Sequence, residues 1–280
     1  MNKGEHVPVL LLEALNALHV KKTRKYIDAT LGAGGHAAAI LAKGGSVLGI
    51  EADYQMIEIA KENLKQAGDD FVIAQGNFVN IDRLAKENGF TQVDGILYDL
   101  GISSLHYKNG RGFSFENESE PLDMRLDTKF QAVTAADLLN TLREDQINEM
   151  MRAGMEKGEA KRSSRAIWKY GQRKKYETVG DLLQALGRLP RFGKLHPATK
   201  VFAALRIAVN SELTNLMESL PRAWDLLRPG GKLVVISFHS GEDRIVKQFM
   251  GSGAKPVVPC EDEIYRNPRA RSAKMRVLSK

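Results

Sequence analysis

Cysteine is all but missing from this chain: Cys260 stands alone among 280 residues. A single thiol excludes an internal disulfide and a thiolate-built structural zinc site, and it points to a reducing, cytoplasmic setting. Long apolar runs are missing too. The stretch Val7 to Val20 is interrupted by Glu13, Asn16 and His19, while Leu11, Leu12, Leu15 and Leu18 recur at helical spacing. That pattern predicts an amphipathic helix rather than a signal peptide or a membrane span. Histidines are few, and His6, His36, His106, His196 and His239 lack paired ligand spacing, so no metal site is expected. There is no internal repeat and no low-complexity segment. With 43% hydrophobic residues, 280 residues can build one large domain or two modest ones.

Charge is present but unevenly placed. The net charge is +7, yet Lys157 to Lys200 carries twelve Lys/Arg against three Asp/Glu, and Ile264 to Lys280 carries six against none. The rest of the chain is therefore acidic. Two basic segments on an acidic body suit a polyanionic partner, and nucleic acid is the expected one. A merely solvated face is the alternative for either segment taken alone.

The most informative stretch runs from Tyr26-Ile27-Asp28 through Gly32, Gly34, Gly35 and His36 to Val47-Leu48-Gly49-Ile50-Glu51. It reads as strand, glycine turn, helix, strand and acid, the order of a nucleotide-type cofactor pocket. Glycines in the first turn let backbone N–H groups approach a ligand at the helix start, and Glu51 stands where an acid accepts ribose hydroxyls. Gly32, Gly34 and Ala37 fit a loose dinucleotide fingerprint. S-adenosylmethionine (SAM) explains more residues: it has no phosphate and ends in an amino acid, so Asp28 before the turn helps there and would repel a pyrophosphate. Leu227-Arg228-Pro229-Gly230-Gly231-Lys232 resembles the entry to a late strand of SAM methyltransferases. A tight turn with no ligand is the remaining reading.

Beyond Glu51 the alternation continues. Helices are predicted over Tyr54 to Gln66 and Ile81 to Asn88, and strands over Phe71 to Ala74 and Val93 to Asp99. The pattern then changes, with Gly101 to Asp127 rich in Gly, Ser, Arg and Phe, and Thr134 to about Leu189 helical and charged. A long helix from about Pro197 to Leu227, a strand from Lys232 to Phe238, a helix from Glu242 to Met250 and a strand near Lys274 to Leu278 follow. The fold class is thus α/β: a Rossmann-like, doubly wound, mostly parallel sheet formed by residues 1–105 and 197–280. A helical substrate-recognition domain, residues 106–196, is inserted in it.

Ligands of such sheets bind beyond the carboxyl ends of the strands. Asp99, leaving the fourth strand, is the candidate catalytic residue, an acceptor able to hold an amino group for in-line attack on a methyl donor. Capping of the following turn is its structural alternative. His239, flanked by Ser237 and Ser240 and followed by Glu242-Asp243, suggests a hydrolase triad, which the absence of a glycine-flanked nucleophile elbow argues against. Arg111 to Phe115 and Pro121 to Arg125 could contact phosphate and stack on a base, or form a small core.

Together these segments closely resemble the RsmH (MraW) family of ribosomal RNA cytosine-N4 methyltransferases. The matching stretches include His6 to Leu10, Asp28 to Gly32 with Gly34 to His36, Asp94 to Leu97 with Asp99 to Ser104, Arg111 to Phe115, and Pro121 to Arg125. Further matches are His196 to Thr199, Ala204 to Asn210, Ile236 to Ser240 with Glu242 to Arg244, and Asn267 to Ala273. The resemblance implies SAM as cofactor, methylation of N4 of one cytidine in the decoding region of small-subunit rRNA, and rRNA or the small ribosomal subunit as partner. It places cofactor contacts on Gly34, Gly35, His36, Glu51, Phe78, Asp99 and His106, to which Asp28 and Gly32 are added here. Ser103, Arg111, Phe113, Arg125, Arg206, Asn210 and His239 are the candidate substrate contacts. The family usually has Asp at Glu51, Gln at His106 and Leu at Gly241, and its resemblance is weak from about Met150 to Lys194. A non-catalytic RNA-binding assembly factor and a nicotinamide-dependent oxidoreductase are the alternative functions.

Overall fold

The structure, a computed structural model, describes residues 8–187, 197–251 and 253–280. His6, Val7, His196 and the stretch 188–196 of the basic segment lie outside the described residues. In chain order the elements are α1 (Leu11–Leu18), β1 (Lys25–Asp28), α2 (Gly35–Ala42), β2 (Ser46–Glu51), α3 (Tyr54–Ala67), β3 (Phe71–Gln75), α4 (Ile81–Glu87) and β4 (Val93–Asp99). Next come α5 (Ala135–Thr141), α6 (Glu144–Met151), α7 (Lys157–Gly171), α8 (Val179–Leu186) and α9 (Pro197–Val209). The chain closes with α10 (Glu212–Leu226), β5 (Leu227–Ser237), α11 (Ser240–Met250), α12 (Glu261–Arg266) and β6 (Lys274–Ser279).

The elements form two compact units, one of residues 1–102 and 213–280, the other of Ser103–Glu212. The first holds a six-stranded sheet in the order β3-β2-β1-β4-β5-β6. All neighbours pair in parallel except β6, which runs antiparallel to β5. Strand direction of growth reverses between β1 and β4, which opens a crevice at their carboxyl ends. Residues alternate between faces because side chains point alternately up and down a strand. Ile27, Leu48, Ile96 and Val235 pack with Ile81 and Leu84 of α4, Leu216 and Leu220 of α10 and Val246 of α11. Tyr26, Val47, Leu97 and Val234 pack on the other face with Leu15 and Leu18 of α1, Ile40 of α2 and Leu64 of α3. Two covered faces explain the near-continuous apolar strands.

Two expectations change. The helix predicted from Pro197 to Leu227 is two helices, broken where Ser211 takes the left-handed region at φ 50°. Asn210 makes the break stable: its amide donates to the Met124 carbonyl at 2.8 Å and its Oδ1 accepts the Leu126 N–H at 2.9 Å. The first of the two helices, α9, packs against α5, α6 and α8, with Val201, Phe202 and Leu205 buried. The inserted unit therefore runs from Ser103 to Glu212, wider than the 106–196 expected. The short helix α12, unexpected from the sequence, carries Glu263, whose Oε1 accepts the Leu10 N–H at 2.7 Å. Among the described residues, no helix is long and apolar enough to cross a membrane.

Candidate active site

Asp28, Glu51 and Asp99 each end a parallel strand, so the sheet delivers three carboxylates to one edge. The turn after β1 links them. Gly32 lies at φ 52°, a left-handed conformation that non-glycine residues adopt at a cost, and it aims its N–H at Glu51 Oε2, 2.8 Å away. The other oxygen of Glu51 accepts the Asp53 N–H at 2.9 Å. Glu51 thus fastens the glycine turn to the end of β2. Gly34, at φ 85°, precedes α2, and a Cβ there would press on Leu64 of α3 at 3.2 Å. That glycine serves the turn and the packing of α2 on α3. Gly35 opens α2 beneath Pro8, whose ring leaves no room for a Cβ.

Asp28 is buried, accepting the Thr30 N–H at 3.2 Å. Burial pushes its carboxyl up to about 7, and the charge of Glu51 adds to that, while N–H donation from Thr30 and Ala37 opposes it. Asp99 is raised well above the usual carboxylate range, first by burial and then by the charges of Asp28 and Glu242. Its Oδ2 lies 3.5 Å from His36 Nδ1. Its Oδ1 is buried with no hydrogen-bond partner among the described residues. The buried ring of His36 reaches the Val9 carbonyl through Nε2 at 3.2 Å. Phe78 sits beside this edge, its ring meeting Tyr98 edge to face with centroids 5.6 Å apart.

Sequence reasoning missed two members of this group. Thr30 Oγ1 accepts the Asp99 backbone N–H at 2.6 Å, a link between adjacent strand ends that the Asp28-Ala29-Thr30 spacing alone hints at. Glu242, buried, accepts the N–H groups of Phe238 and His239 at 2.8 and 3.2 Å and so closes the start of α11. His239, expected at the substrate, is the N-cap of that helix: its Nδ1 accepts the Gly241 N–H at 3.2 Å.

In the inserted unit, the expected substrate contacts form an internal framework. Ser103 caps the turn that follows it, accepting the Leu105 N–H. Arg111 donates to the carbonyls of Arg125 and Leu126 and lies 5.7 Å from the Phe113 ring. Arg125 forks onto Asp123 at 2.7 and 2.8 Å, and Arg206 onto Glu212 at 2.8 Å on both arms. Phe113 and His106 are buried, with ring centroids 5.7 Å apart. Phe113 therefore belongs to the small loop core that was the alternative to an exposed stacking face.

Five of the twelve basic residues of the basic segment lie on α7. Lys157, Lys161, Arg165 and Lys169 are exposed and recur every fourth residue, a row that advances about 6 Å per step along the helix, and Arg173 is exposed just beyond its end. Ala160, Ser163, Ser164 and Ile167 face the other way and are buried. Lys174, by contrast, is engaged with Asp181 at 2.6 Å.

Residues 3–255 match the model of the MraW methylase family. A ribosomal RNA small subunit methyltransferase H of Dehalococcoides mccartyi is 40% identical, over 98% of this chain and 86% of its own. One from Dictyoglomus thermophilum is also 40% identical, over 97% of this chain and 95% of its own. The chain belongs to the MraW methylase family. Among solved structures, an rRNA methylase from Streptococcus thermophilus aligns over 99% of both chains, with 11% identity and a TM-score of 0.48. For this MraW methylase the family match spans both units, from the glycine turn through the basic α7 to α11.

Proposed function

We propose that this MraW methylase transfers a methyl group from SAM to N4 of a cytidine in the decoding region of small-subunit rRNA, acting in the cytoplasm on rRNA or on the small ribosomal subunit. One observation carries the reading: buried Asp28 and partly buried Asp99, both held above the usual carboxylate range, share the carboxyl edge of the sheet with an Asp99 oxygen that lacks a partner among the described residues. Such a pocket is short of positive charge. SAM supplies a sulfonium whose methyl carbon is the electrophile, and its cation suits that need, whereas a dinucleotide pyrophosphate would meet Asp28 as a like charge. Gly32, Gly34, Gly35 and His36 would line the cofactor, with Asp28, Glu51, Phe78 and Asp99, and the family resemblance adds His106. Ser103, Arg111, Phe113, Arg125, Arg206, Asn210 and His239 stay on the substrate side of the proposal as the frame that shapes their loops.

An exocyclic amino group is a poor nucleophile because its lone pair is delocalised into the ring. Asp99 would hold its N–H bonds and turn the lone pair toward the donor, so positioning supplies most of the gain. Reaching such a depth requires an unpaired or flipped base. The exposed row on α7 fits RNA phosphates, which supply sequence-independent affinity. The test is mass spectrometry of rRNA nucleosides from cells lacking the gene, complemented with wild type or Asp99→Ala. Wild type should restore N4-methylated cytidine and Asp99→Ala should not. An unmodified rRNA under wild-type complementation would favour the non-catalytic assembly factor, and calorimetric binding of NADH but not SAM would favour an oxidoreductase.

A further inference from the structure

His36 makes two contacts at opposite ends of its ring. Nε2 faces the Val9 carbonyl at 3.2 Å, and Nδ1 faces Asp99 Oδ2 at 3.5 Å. A carbonyl oxygen can only accept, so the Nε2 end must carry its hydrogen. In neutral imidazole that leaves Nδ1 as an acceptor, directed at a carboxylate that also has only lone pairs to offer. Two acceptors facing each other are a poor arrangement, and one added proton turns them into a hydrogen bond. The ring is buried on α2, so it has little freedom to turn away.

We propose that His36 and Asp99 act as one proton-holding pair, in which the Val9 carbonyl fixes the imidazole so that Nδ1 and Asp99 together take up the proton that the target amino group loses. This inference rests on the methyltransferase reading above and extends it to a residue that the sequence offered only as a cofactor contact. His36 is a positioning residue here, acting through Asp99.

Charge balance supports the assignment. The groups facing Asp99 are Asp28 from β1, His36 from α2 and Glu242 from α11, and Glu51 faces Asp28 from β2. In such acidic surroundings the pair keeps its proton. A cation arriving at the carboxyl edge favours the deprotonated form, and the pair releases that proton to solvent. In the transfer step the S–C bond of the donor breaks, its electrons stay on sulfur, the nitrogen lone pair forms the N–CH3 bond, and an N–H proton passes to the pair. Positive charge leaves sulfur as negative charge leaves the pair, so the pocket is as neutral after the step as before it. The pair then surrenders its proton when the next cation enters.

The test uses His36→Gln, whose terminal amide keeps a donor for the Val9 carbonyl but has no ring nitrogen toward Asp99. Proton release on SAM binding is read by calorimetry in two buffers of different ionisation enthalpy across pH. Single-turnover methylation of small ribosomal subunits at saturating SAM is read across the same range. For wild type, SAM binding should release protons, and the rate should rise with pH through the range in which that release occurs. His36→Gln, read at SAM concentrations raised to saturation because His36 also lines the cofactor, should stay folded, while both features move to lower pH by about one unit and the plateau rate falls about tenfold. His36→Ala, which also gives up the hydrogen bond to Val9, should give the same pH displacement and a lower melting temperature. A variant with unmoved proton release and an unmoved acid limb would overturn the pairing. Failure of wild type itself to bind SAM or to methylate would instead overturn the function on which it rests.

Discussion

Thr30 Oγ1 accepts the backbone N–H of Asp99 at 2.6 Å, so the turn after β1 sets the position of the residue that ends β4. Thr30→Val keeps the shape and deletes the acceptor, leaving a partly buried N–H unpaired. Stability should fall by about 1–3 kcal/mol in urea unfolding, and methyl transfer should slow. Thr30→Ser should restore both. Equal stability of the valine and threonine proteins would show that water serves Asp99 as well.

Asp99→Ala should reduce single-turnover methylation by roughly a hundredfold or more at saturating SAM, the range expected when a positioned acceptor is removed. RNA affinity should be unchanged. If saturating SAM returns the mutant to the wild-type rate, Asp99 does no more than hold the cofactor.

The raised carboxyl of Asp28 has a defined sign in stability. Between its ordinary value near 4 and about 7, the folded protein binds more protons than the unfolded chain, so stability falls as pH rises through that window. Above about 7 the cost is fully present and amounts at most to about 4 kcal/mol. Asp99 pulls in the same direction. Asp28→Asn should flatten this slope and raise neutral-pH stability of the cofactor-free protein by about 1–3 kcal/mol. Urea unfolding at pH 5 and pH 8 decides; parallel curves for the two proteins would refute it.

Reversing Lys161, Arg165 and Lys169 to Glu should weaken RNA binding and flatten its salt dependence by about 0.7 in logarithmic slope for each phosphate no longer neutralised, with SAM affinity unaltered. An unchanged slope would mark the α7 row as a solvated face.

Gly34→Val meets two obstacles, a left-handed backbone and the side chain of Leu64. A β-branched residue there should lower the melting temperature by several degrees, on the order of 2 kcal/mol or more, before any effect on cofactor binding is counted. A well-folded, fully stable variant would contradict this packing role.

The strands were legible because each is a short apolar run ended by an acid or a turn residue, as in Tyr26-Ile27-Asp28 and Ile96-Leu97-Tyr98-Asp99. Their acids form the candidate site, so fold and candidate site were read from the same residues. The break at Asn210-Ser211 was not legible: neither Gly nor Pro marks it, apolar spacing continues across it, and the bonds that hold it go to Met124 and Leu126, far away in sequence. The engagements of Arg111 and Arg206 were not legible either. An arginine reads as a phosphate ligand until the carbonyls or the carboxylate that already occupy it are located.

Strand β4 pairs with β1 on one side and with β5 on the other, but β5 begins roughly 130 residues after β4 ends, beyond the whole inserted unit. At ribosomal speeds of about 5–20 residues per second, β4 waits on the order of ten seconds for that neighbour. During synthesis its edge, bearing Ile96, Leu97 and Tyr98, is an open template for another chain. Production of this protein should therefore gain more from chaperones that shield the growing chain than from any change to the mature surface, because the vulnerable interval ends once β5 docks.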